Sequence, residues 1–267
     1  MEEDYVHGYS EIEAGRLHDQ AQTLAQLLHG DTRYQPDTAV LEIGCGVGAQ
    51  TAILARNSPL AQFTAIDVSD DSVKQARKLL TELGCGNVDF VVADVFDLTF
   101  AEESFDHLFV CFLLEHLADP LRALANMKKV LKKGGSLTVI EGDHGSCFFH
   151  PDSPDARFAV NCLIQSQAAA GGDALIGRKL YPILQEAGFS EVTVSPRMVY
   201  ADGNRPDLAE GFTKSTFTAM VEGAREKILS LGLANEERFD KGTRDLYRTA
   251  VPGGVFCYTF FKALALR

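Results

Sequence analysis

A glycine-rich segment directly after a short apolar run is the feature that most limits what this chain can fold into. Residues 40–51 read VLEIGCGVGAQT, in which Glu42 is followed at alternate positions by Gly44, Gly46 and Gly48. Glycines let a backbone turn sharply and pass close to a ligand without Cβ clashes. The next residues, AQTAILARN, are typical of a helix, whose first turn presents free N–H groups. By itself the segment fits either a tight strand-to-helix turn or a ligand-binding loop.

Strand and helix patterns alternate on both sides of this segment as far as residue 145. Short continuous apolar runs of this kind are typical of a parallel sheet covered on both faces. Their alternation with helices predicts right-handed crossover connections. The predicted strands are AVLEIG, QFTAIDVS, VDFVVADV, the start of FDHLFVCFLLEHL, and SLTVIEGD, with EVTVSPRMVY and GGVFCYTFF added later in the chain.

Two acidic residues end successive predicted strands. Asp67 ends the second strand, 19 residues after Gly48, and Asp94 ends the third. The carboxyl ends of parallel strands are where an open α/β sheet binds ligands, and an acid there can accept hydrogen bonds from ribose hydroxyls. Asp94 can bond an adenine amine. The spacing G-x-G-x-G differs from the dehydrogenase fingerprint G-x-G-x-x-G, and the chain contains no P-loop pattern.

These motifs resemble the class I S-adenosylmethionine-dependent methyltransferases over roughly residues 36–145. The resemblance implies an α/β, Rossmann-like, seven-stranded sheet whose last strand is antiparallel, with a helical cap. It also implies S-adenosyl-L-methionine as the cofactor. The residues that it assigns to cofactor binding are Gly44, Cys45 and Gly46 for the methionyl part, the backbone at Cys111 for its aminobutyrate end, Asp67 for the ribose, Asp94 and Val95 for the adenine, and Glu42 and Val68 as further contacts.

Composition narrows the acceptor and the compartment. A net charge of −12 disfavours nucleic acid, and the N/D-P-P-Y type motif of amino-methylating nucleic-acid enzymes is absent after the fourth strand. We therefore expect a small-molecule acceptor. The sequence shows no apolar run as long as a membrane span and no secretory leader pattern, so we expect no membrane partner. Six scattered cysteines without metal-site spacing predict a cytoplasmic protein.

Two further segments carry a narrower resemblance. YVHGYS, residues 5–10, and EGDHGSCFFHP, residues 141–151, resemble bacterial small-molecule C-methyltransferases, including those that methylate carbon 3 of an indole. This resemblance implies a planar aromatic acceptor such as a tryptophan-derived diketopiperazine. O- or N-methylation of another small metabolite stays open, as does a non-catalytic cofactor-binding protein on the same fold.

His144 is the predicted general base, because it follows the fifth strand at the ligand-binding edge. Glu141 or Asp143 is predicted to support it. The alternative is that GDHG is a structured turn without chemistry. His116, in LLEHL, is predicted to position a helix rather than to transfer protons.

The predicted domain organisation has three parts: an N-terminal helical arm or lid at 1–35, a cofactor-binding core at 36–145, and the remaining sheet with helical insertions at 146–267. Tyr9 and Arg16 are predicted to close over the cofactor, and Arg16 fits either a pair with the methionyl carboxylate or a solvated helix position. Phe212 and Phe217 fit either pocket walls or the core of a cap. Monomer and homo-oligomer both stay open.

Overall fold

The computed structural model describes residues 11–267, and of residues 11–19 it describes the backbone alone. Its strands form one seven-stranded sheet with the order β3-β2-β1-β4-β5-β7-β6. The seven-stranded Rossmann-like sheet predicted from the sequence is therefore confirmed. The strands are β1 Ala39–Ile43, β2 Gln62–Asp67, β3 Val88–Val92, β4 Phe105–Cys111, β5 Leu131–His150, β6 Ser190–Ala201 and β7 Val255–Leu266.

The first five strands are parallel, and their order reverses at β1. β1 pairs with β2 on one side, where Val40 lies opposite Phe63, and with β4 on the other, where Val40 lies opposite His107. The chain runs outward from β1 through β2 to β3 and then returns to β4. The carboxyl ends of β1 and β4 therefore flank the switch point at which doubly wound sheets bind ligands.

The last strand runs against β5. The N–H of Arg267 donates to the carbonyl of Gly135, and the N–H of Thr259 donates to Oγ of Ser146. Residue numbers therefore decrease along β7 where they increase along β5, so the two strands are antiparallel. This agrees with the resemblance noted above, and the sheet is mixed.

The helices between the strands begin at clear capping residues. Ser69, Asp119, Ser153 and Asn235 each accept a hydrogen bond from a backbone N–H in the first turn of the helix that follows them. Ten residues, Ala209–Thr218, form a π-helical segment, which is an uncommon structure at this length. The α-helices are α1 Glu11–His29, α2 Ala49–Asn57, α3 Asp70–Glu82, α4 Pro120–Val130, α5 Pro154–Ala169, α6 Leu180–Glu186, α7 Pro206–Leu208, α8 Ala219–Gly223, α9 Arg225–Ser230 and α10 Glu236–Tyr247.

The chain divides into two compact units, each built from separated segments. The larger unit contains residues 25–141, 176–196 and 261–267, and the smaller contains 142–175, 197–260 and the described residues before position 25. The long strands β5, β6 and β7 each contribute residues to both units. The predicted boundaries at 35 and 145 stay a prediction.

Each unit has its own packing. In the larger unit, apolar side chains of β1, β4 and β5 are fully buried, among them Leu41, Leu108 and Leu137. In the smaller unit, Lys241 and Arg238 of α10 both pair with Asp155 of α5. Among the helices in the described part of the chain, none combines the length and apolarity of a membrane span.

Candidate active site

The glycine-rich turn after β1 is held to the end of β2 by backbone hydrogen bonds. The N–H groups of Gly44 and Cys45 both donate to the carbonyl oxygen of Ile66, at 2.8 and 2.9 Å. Gly44, Gly46 and Gly48 have φ angles of +78°, +51° and +83°, which residues with a Cβ rarely adopt. The alternate glycines are therefore a conformational requirement of this turn.

The three glycines differ in what surrounds them. A Cβ on Gly48 would lie 2.9 Å from the Cβ of Ala76, and a Cβ on Gly44 would lie 3.1 Å from the side chain of Leu113. A Cβ on Gly46 would meet no atom of the described residues within 4 Å. Gly48 and Gly44 thus permit close packing, whereas the backbone at Gly46 borders open space that a ligand can occupy.

Asp67, the last residue of β2, holds this turn through its carboxylate. Oδ2 accepts the N–H of Gly46 at 2.8 Å, and Oδ1 accepts the N–H of Ser69 at 3.0 Å. A carboxylate has about four acceptor sites, so each oxygen retains capacity for a hydroxyl donor. Val68, the next residue, is 51% exposed and offers an apolar surface beside these acceptors. Asp67 therefore has a structural task in addition to the predicted ribose contact.

The turn after β3 is held in a similar way. Oδ1 of Asp94 accepts the N–H of Phe96 at 2.8 Å, and Val95 is buried. The side-chain amide of Asn126, on α4, donates to the carbonyls of Val95 and Phe96 at 3.3 and 3.0 Å. Sequence reasoning missed Asn126. Its only signal was an amide residue between apolar positions of a helix, which does not reveal its partners.

Glu42 lies buried on β1, two residues before Gly44. Burial raises the pKa of its carboxyl to about 8, against a lowering by the hydroxyl of Thr51 and with a further rise from the charge of Asp67. Its Oε2 has no hydrogen-bond partner among the described residues. A buried carboxyl oxygen without a partner is costly, so this atom is a candidate contact for a polar ligand group.

The two cysteines at this edge are inert as nucleophiles. Burial raises the pKa of the Cys45 thiol, and burial also raises the pKa of the Cys111 thiol, with the charge of Glu141 as the next cause. Both thiols therefore stay protonated near neutral pH, and the thiolate is the reactive form. Their place in the predicted site rests on the backbone and on shape.

Glu141 holds the segment that follows β4. Its Oε1 accepts the N–H groups of Leu113 and Leu114, at 3.0 and 2.7 Å, and its Oε2 has no hydrogen-bond partner in the described part of the chain. Leu113 is the residue whose side chain lies against Gly44. Burial, followed by the charge of Glu115, raises the pKa of the Glu141 carboxyl well above its ordinary value. Glu141 thus links the segment after β4 to the glycine-rich turn.

His144 has a partner other than the predicted Glu141. Its Nδ1 lies 2.7 Å from Oη of Tyr258, and its backbone N–H donates to the carbonyl of Ala174 at 3.0 Å. The prediction that Glu141 supports His144 is corrected: residues three apart on a strand point to opposite faces, so Glu141 bonds the segment after β4 instead. Asp143 accepts the N–H of Gly145 at 3.0 Å within β5, and the choice between a structured turn and a catalytic GDHG segment stays open.

Tyr258 belongs to a buried aromatic cluster in the smaller unit. Its ring centroid lies 5.4 Å from that of Phe217, 5.5 Å from that of Phe212 and 4.7 Å from that of Phe260. All four residues are at most 3% exposed. Phe212 and Phe217 are therefore buried in this cluster, as expected for the core of a cap. Sequence reasoning missed Tyr258, although the alternation of Phe256, Tyr258 and Phe260 on β7 is typical of one strand face.

The remaining predicted residues stay untested. Tyr9 lies outside the described residues, and Arg16 lies on α1 with its side chain outside them. Nε2 of His116 is 3.6 Å from Oε1 of Glu115, on the short 3₁₀ helix Leu114–His116. Among the side chains that the structure describes, residues 20–267, no group of three or more histidines, cysteines or acidic residues is arranged to hold a metal ion.

Comparison with known proteins gives this geometry a family context. Residues 41–139 match the family model described as a methyltransferase domain. The chain is 34% identical over 160 residues to the O-methyltransferase cnsE of Penicillium expansum, an alignment that covers 58% of this chain and 53% of that protein. It is 38% identical over 104 residues to the ubiquinone/menaquinone biosynthesis C-methyltransferase UbiE of Psychromonas ingrahamii, covering 38% and 41%.

Among solved structures, the chain is similar to the [4+2]-cyclase SpnF, with a TM-score of 0.58 and 19% sequence identity. That similarity covers 94% of this chain and 81% of the cyclase, and at this identity it concerns the fold. The chain spans about half the length of the curated relatives that it matches. The matched family region contains the glycine-rich turn, Asp67, Asp94 and the whole of β4.

Proposed function

We propose that this chain, whose residues 41–139 match a methyltransferase domain, is a class I S-adenosylmethionine-dependent enzyme that methylates a small aromatic acceptor. The observation that carries the proposal is the turn at Gly46. A Cβ on Gly46 would meet no described atom within 4 Å, so the backbone there is open to a ligand. The N–H of Gly46 is held in place by the carboxylate of Asp67. Such a turn presents a rigid backbone edge to a ligand at the carboxyl end of a parallel strand.

The residues of this edge fit S-adenosyl-L-methionine. Gly44, Cys45, Gly46 and the backbone at Cys111 hold its methionyl end. The open space at Gly46 and the unpartnered Oε2 of Glu42 suit a polar ligand that must approach the backbone closely.

Its nucleoside end has acceptors and an apolar surface. The carboxylate of Asp67 accepts from the ribose hydroxyls, since neither of its oxygens is saturated by the N–H groups that it binds. Val68 covers the nucleoside, and Asp94 with Val95 borders the adenine. When bound, the cofactor supplies a methyl group that its sulfonium already activates.

His144 is proposed as the general base. An indole becomes cationic as carbon 3 forms a new bond, and its ring N–H then needs an acceptor for the proton. An imidazole in its neutral form can accept it at the ring nitrogen that carries no proton. The protein otherwise contributes by orienting the reactants and excluding water, which are the main requirements of a displacement at an activated methyl group.

The acceptor class is proposed on charge and on similarity. The net charge of −12 does not suit a polyanionic substrate. The C- and O-methyltransferases among the relatives are compatible with an indole carbon and with a phenolic oxygen, and the narrower resemblance of residues 141–151 favours the indole. The six free cysteines fit the reducing cytoplasm, and the oligomeric state stays open.

A second candidate is a protein that binds the same cofactor without transferring its methyl group. The similarity to a [4+2]-cyclase supports this second candidate, because that protein has the same fold and a different reaction.

One experiment separates these candidates. Calorimetry with S-adenosylhomocysteine tests the cofactor site, and mass spectrometry then follows S-adenosylmethionine with a panel of tryptophan diketopiperazines, simple indoles, phenols and amines. We expect micromolar binding and a product heavier by one methyl group from an indole. Binding without methylation of any acceptor would support the second candidate, and NAD binding without S-adenosylhomocysteine binding would refute both.

A further inference from the structure

The hydrogen bond between His144 and Tyr258 joins residues that lie 114 positions apart in the chain. The distance of 2.7 Å between Nδ1 and Oη is that of a strong hydrogen bond. Both side chains are buried, at 5% and 2% exposure. In a neutral histidine, the hydrogen bond made by one ring nitrogen influences whether the other nitrogen carries the proton.

Gly142 makes room for this contact. A Cβ on Gly142 would overlap with Oη of Tyr258, although the backbone of Gly142 does not have a positive φ angle. The absence of a side chain at position 142 is therefore explained by the tyrosine hydroxyl. Glycine, histidine and tyrosine form one steric arrangement, in which the hydroxyl occupies the volume of the missing Cβ.

The aromatic cluster fixes the position of the tyrosine ring. Phe212, Phe217 and Phe260 surround it with centroid distances between 4.7 and 5.5 Å. The ring of Phe217 also contacts His144, edge to face at 5.9 Å. A tyrosine ring held on several sides keeps its hydroxyl close to Nδ1 of His144.

We propose that Tyr258 is a positioning residue for His144: the Nδ1–H of His144 donates to Oη of Tyr258, which leaves the lone pair on Nε2. This inference rests on the proposed function, in which His144 is the base. The proton leaves the N–H or O–H of the acceptor and is taken up at Nε2. The resulting imidazolium is stabilised because its Nδ1–H already has an acceptor, as the orienting partner of a catalytic histidine does elsewhere. Gly142 serves the same purpose by admitting the hydroxyl.

The test uses the whole, unliganded chain, with ¹⁵N NMR of the histidine rings as the first measurement. In the wild type, the shifts of His144 should show a protonated Nδ1 and an unprotonated Nε2. Tyr258→Phe removes the hydroxyl, and Gly142→Ala displaces it, so both should move the proton toward Nε2. Tyr247→Phe is the matched control, because its hydroxyl bonds Glu222. The signals of His107, which bonds Ser136, should stay unchanged in all variants.

The second measurement separates positioning from binding. Tyr258→Phe should lower kcat by about tenfold, in the range found for outer partners of functional histidines, while KM for the acceptor changes little. A wild-type ring that carries its proton on Nε2, or shifts that stay at wild-type values in both Tyr258→Phe and Gly142→Ala, would overturn the inference. A chain that methylates nothing counts against the proposed function, whereas the ring shifts still decide the state of His144.

Discussion

The turn after β1 and the surroundings of His144 are fixed by different kinds of interaction. In the turn, backbone N–H groups, three positive φ angles and one carboxylate determine the geometry, and the residues involved lie between positions 42 and 69. Around His144, buried side chains determine it, and the tyrosine partner comes from the last strand. The first is a local structure made by one strand-helix-strand unit, β1-α2-β2. The second exists only after distant parts of the chain have packed.

This difference has consequences for how each region tolerates change. The turn should resist most side-chain substitutions except at its glycines and at Asp67, because the backbone forms its binding edge. The His144 region should be sensitive to any side chain that holds the ring. Substitutions in the two regions should therefore have different effects. Those in the turn should change cofactor affinity, and those near His144 should change turnover.

The largest expected effect comes from His144→Ala. Loss of a general base lowers kcat by about 100- to 10,000-fold, while the affinity for S-adenosylhomocysteine should stay near the wild-type value. His116→Ala is the control, because its predicted role is to position a helix. Single-turnover kinetics and calorimetry measure the two quantities. If His116→Ala abolishes turnover in a folded protein and His144→Ala does not, the base is wrongly assigned and the comparison fails.

Glu42→Gln tests whether the carboxyl of Glu42, buried on β1, has a raised pKa in the folded chain. The folded chain holds the Glu42 proton up to a pKa of about 8, whereas the ordinary value is 4.5. Between these values the unfolded chain releases the proton and the folded chain keeps it, so the free energy of unfolding falls as pH rises. The slope from this group is at most about 1.4 kcal/mol per pH unit.

Glutamine cannot titrate, so the stability of Glu42→Gln relative to the wild type should grow from pH 5 to pH 8. Urea unfolding at four pH values measures this difference, and Glu82→Gln, on the exposed side of α3, is the control. A difference that stays constant over this range would show that Glu42 ionises normally in the folded chain.

The contrast between the regions also explains what the sequence could predict. The spacing of Glu42, Gly44, Gly46 and Gly48 predicts the turn because each glycine adopts a positive φ angle that the turn requires. The alternation of apolar runs with helices predicts the sheet for the same reason. The partner of His144 could not be predicted, since nothing near position 144 indicates a tyrosine on the last strand.

Other features fall between these cases. Glu141 was a reasonable support for His144 by proximity in the chain, but strand geometry turns it toward Leu113 and Leu114. The π-helical segment at Ala209–Thr218 has no sequence pattern distinct from an ordinary helix, so a prediction of mostly helical structure was the limit there. The apolar run SLTVIEGD underestimates the length of β5, which extends from Leu131 to His150.

A pair of glycine substitutions sharpens the account of the turn itself. Gly48→Ala places a Cβ against Ala76 at a positive φ, so it should lower the free energy of unfolding by about 1–3 kcal/mol, as overpacking does. A Cβ at Gly46 meets no atom of the described residues within 4 Å, so the cost of Gly46→Ala should be mainly that of the left-handed backbone, about 1–2 kcal/mol.

The two variants should differ more in binding than in stability. Gly46→Ala fills the space in which the cofactor is proposed to lie, and it should weaken S-adenosylhomocysteine binding strongly. For the same loss in the free energy of unfolding, Gly48→Ala should lower the affinity for S-adenosylhomocysteine less than Gly46→Ala does. Calorimetry on both, at a temperature where each is folded, checks this. Equal losses of affinity would mean that the turn acts only as a structural hinge.

The smallest expected effect, Asp67→Asn, tests whether this carboxylate has both of its assigned tasks. Asparagine keeps one acceptor oxygen and replaces the other with a donor, so it can bind the N–H of Gly46 or that of Ser69, but not both. We expect a loss of about 1 kcal/mol in S-adenosylhomocysteine affinity, or roughly fivefold in Kd. Asp71→Asn, on the exposed first turn of α3, is the control for charge alone. If the ribose contact is real, adenosine should lose affinity in Asp67→Asn by a similar factor, and 2′,3′-dideoxyadenosine should not. Equal losses for both nucleosides would reduce Asp67 to a clamp on the turn.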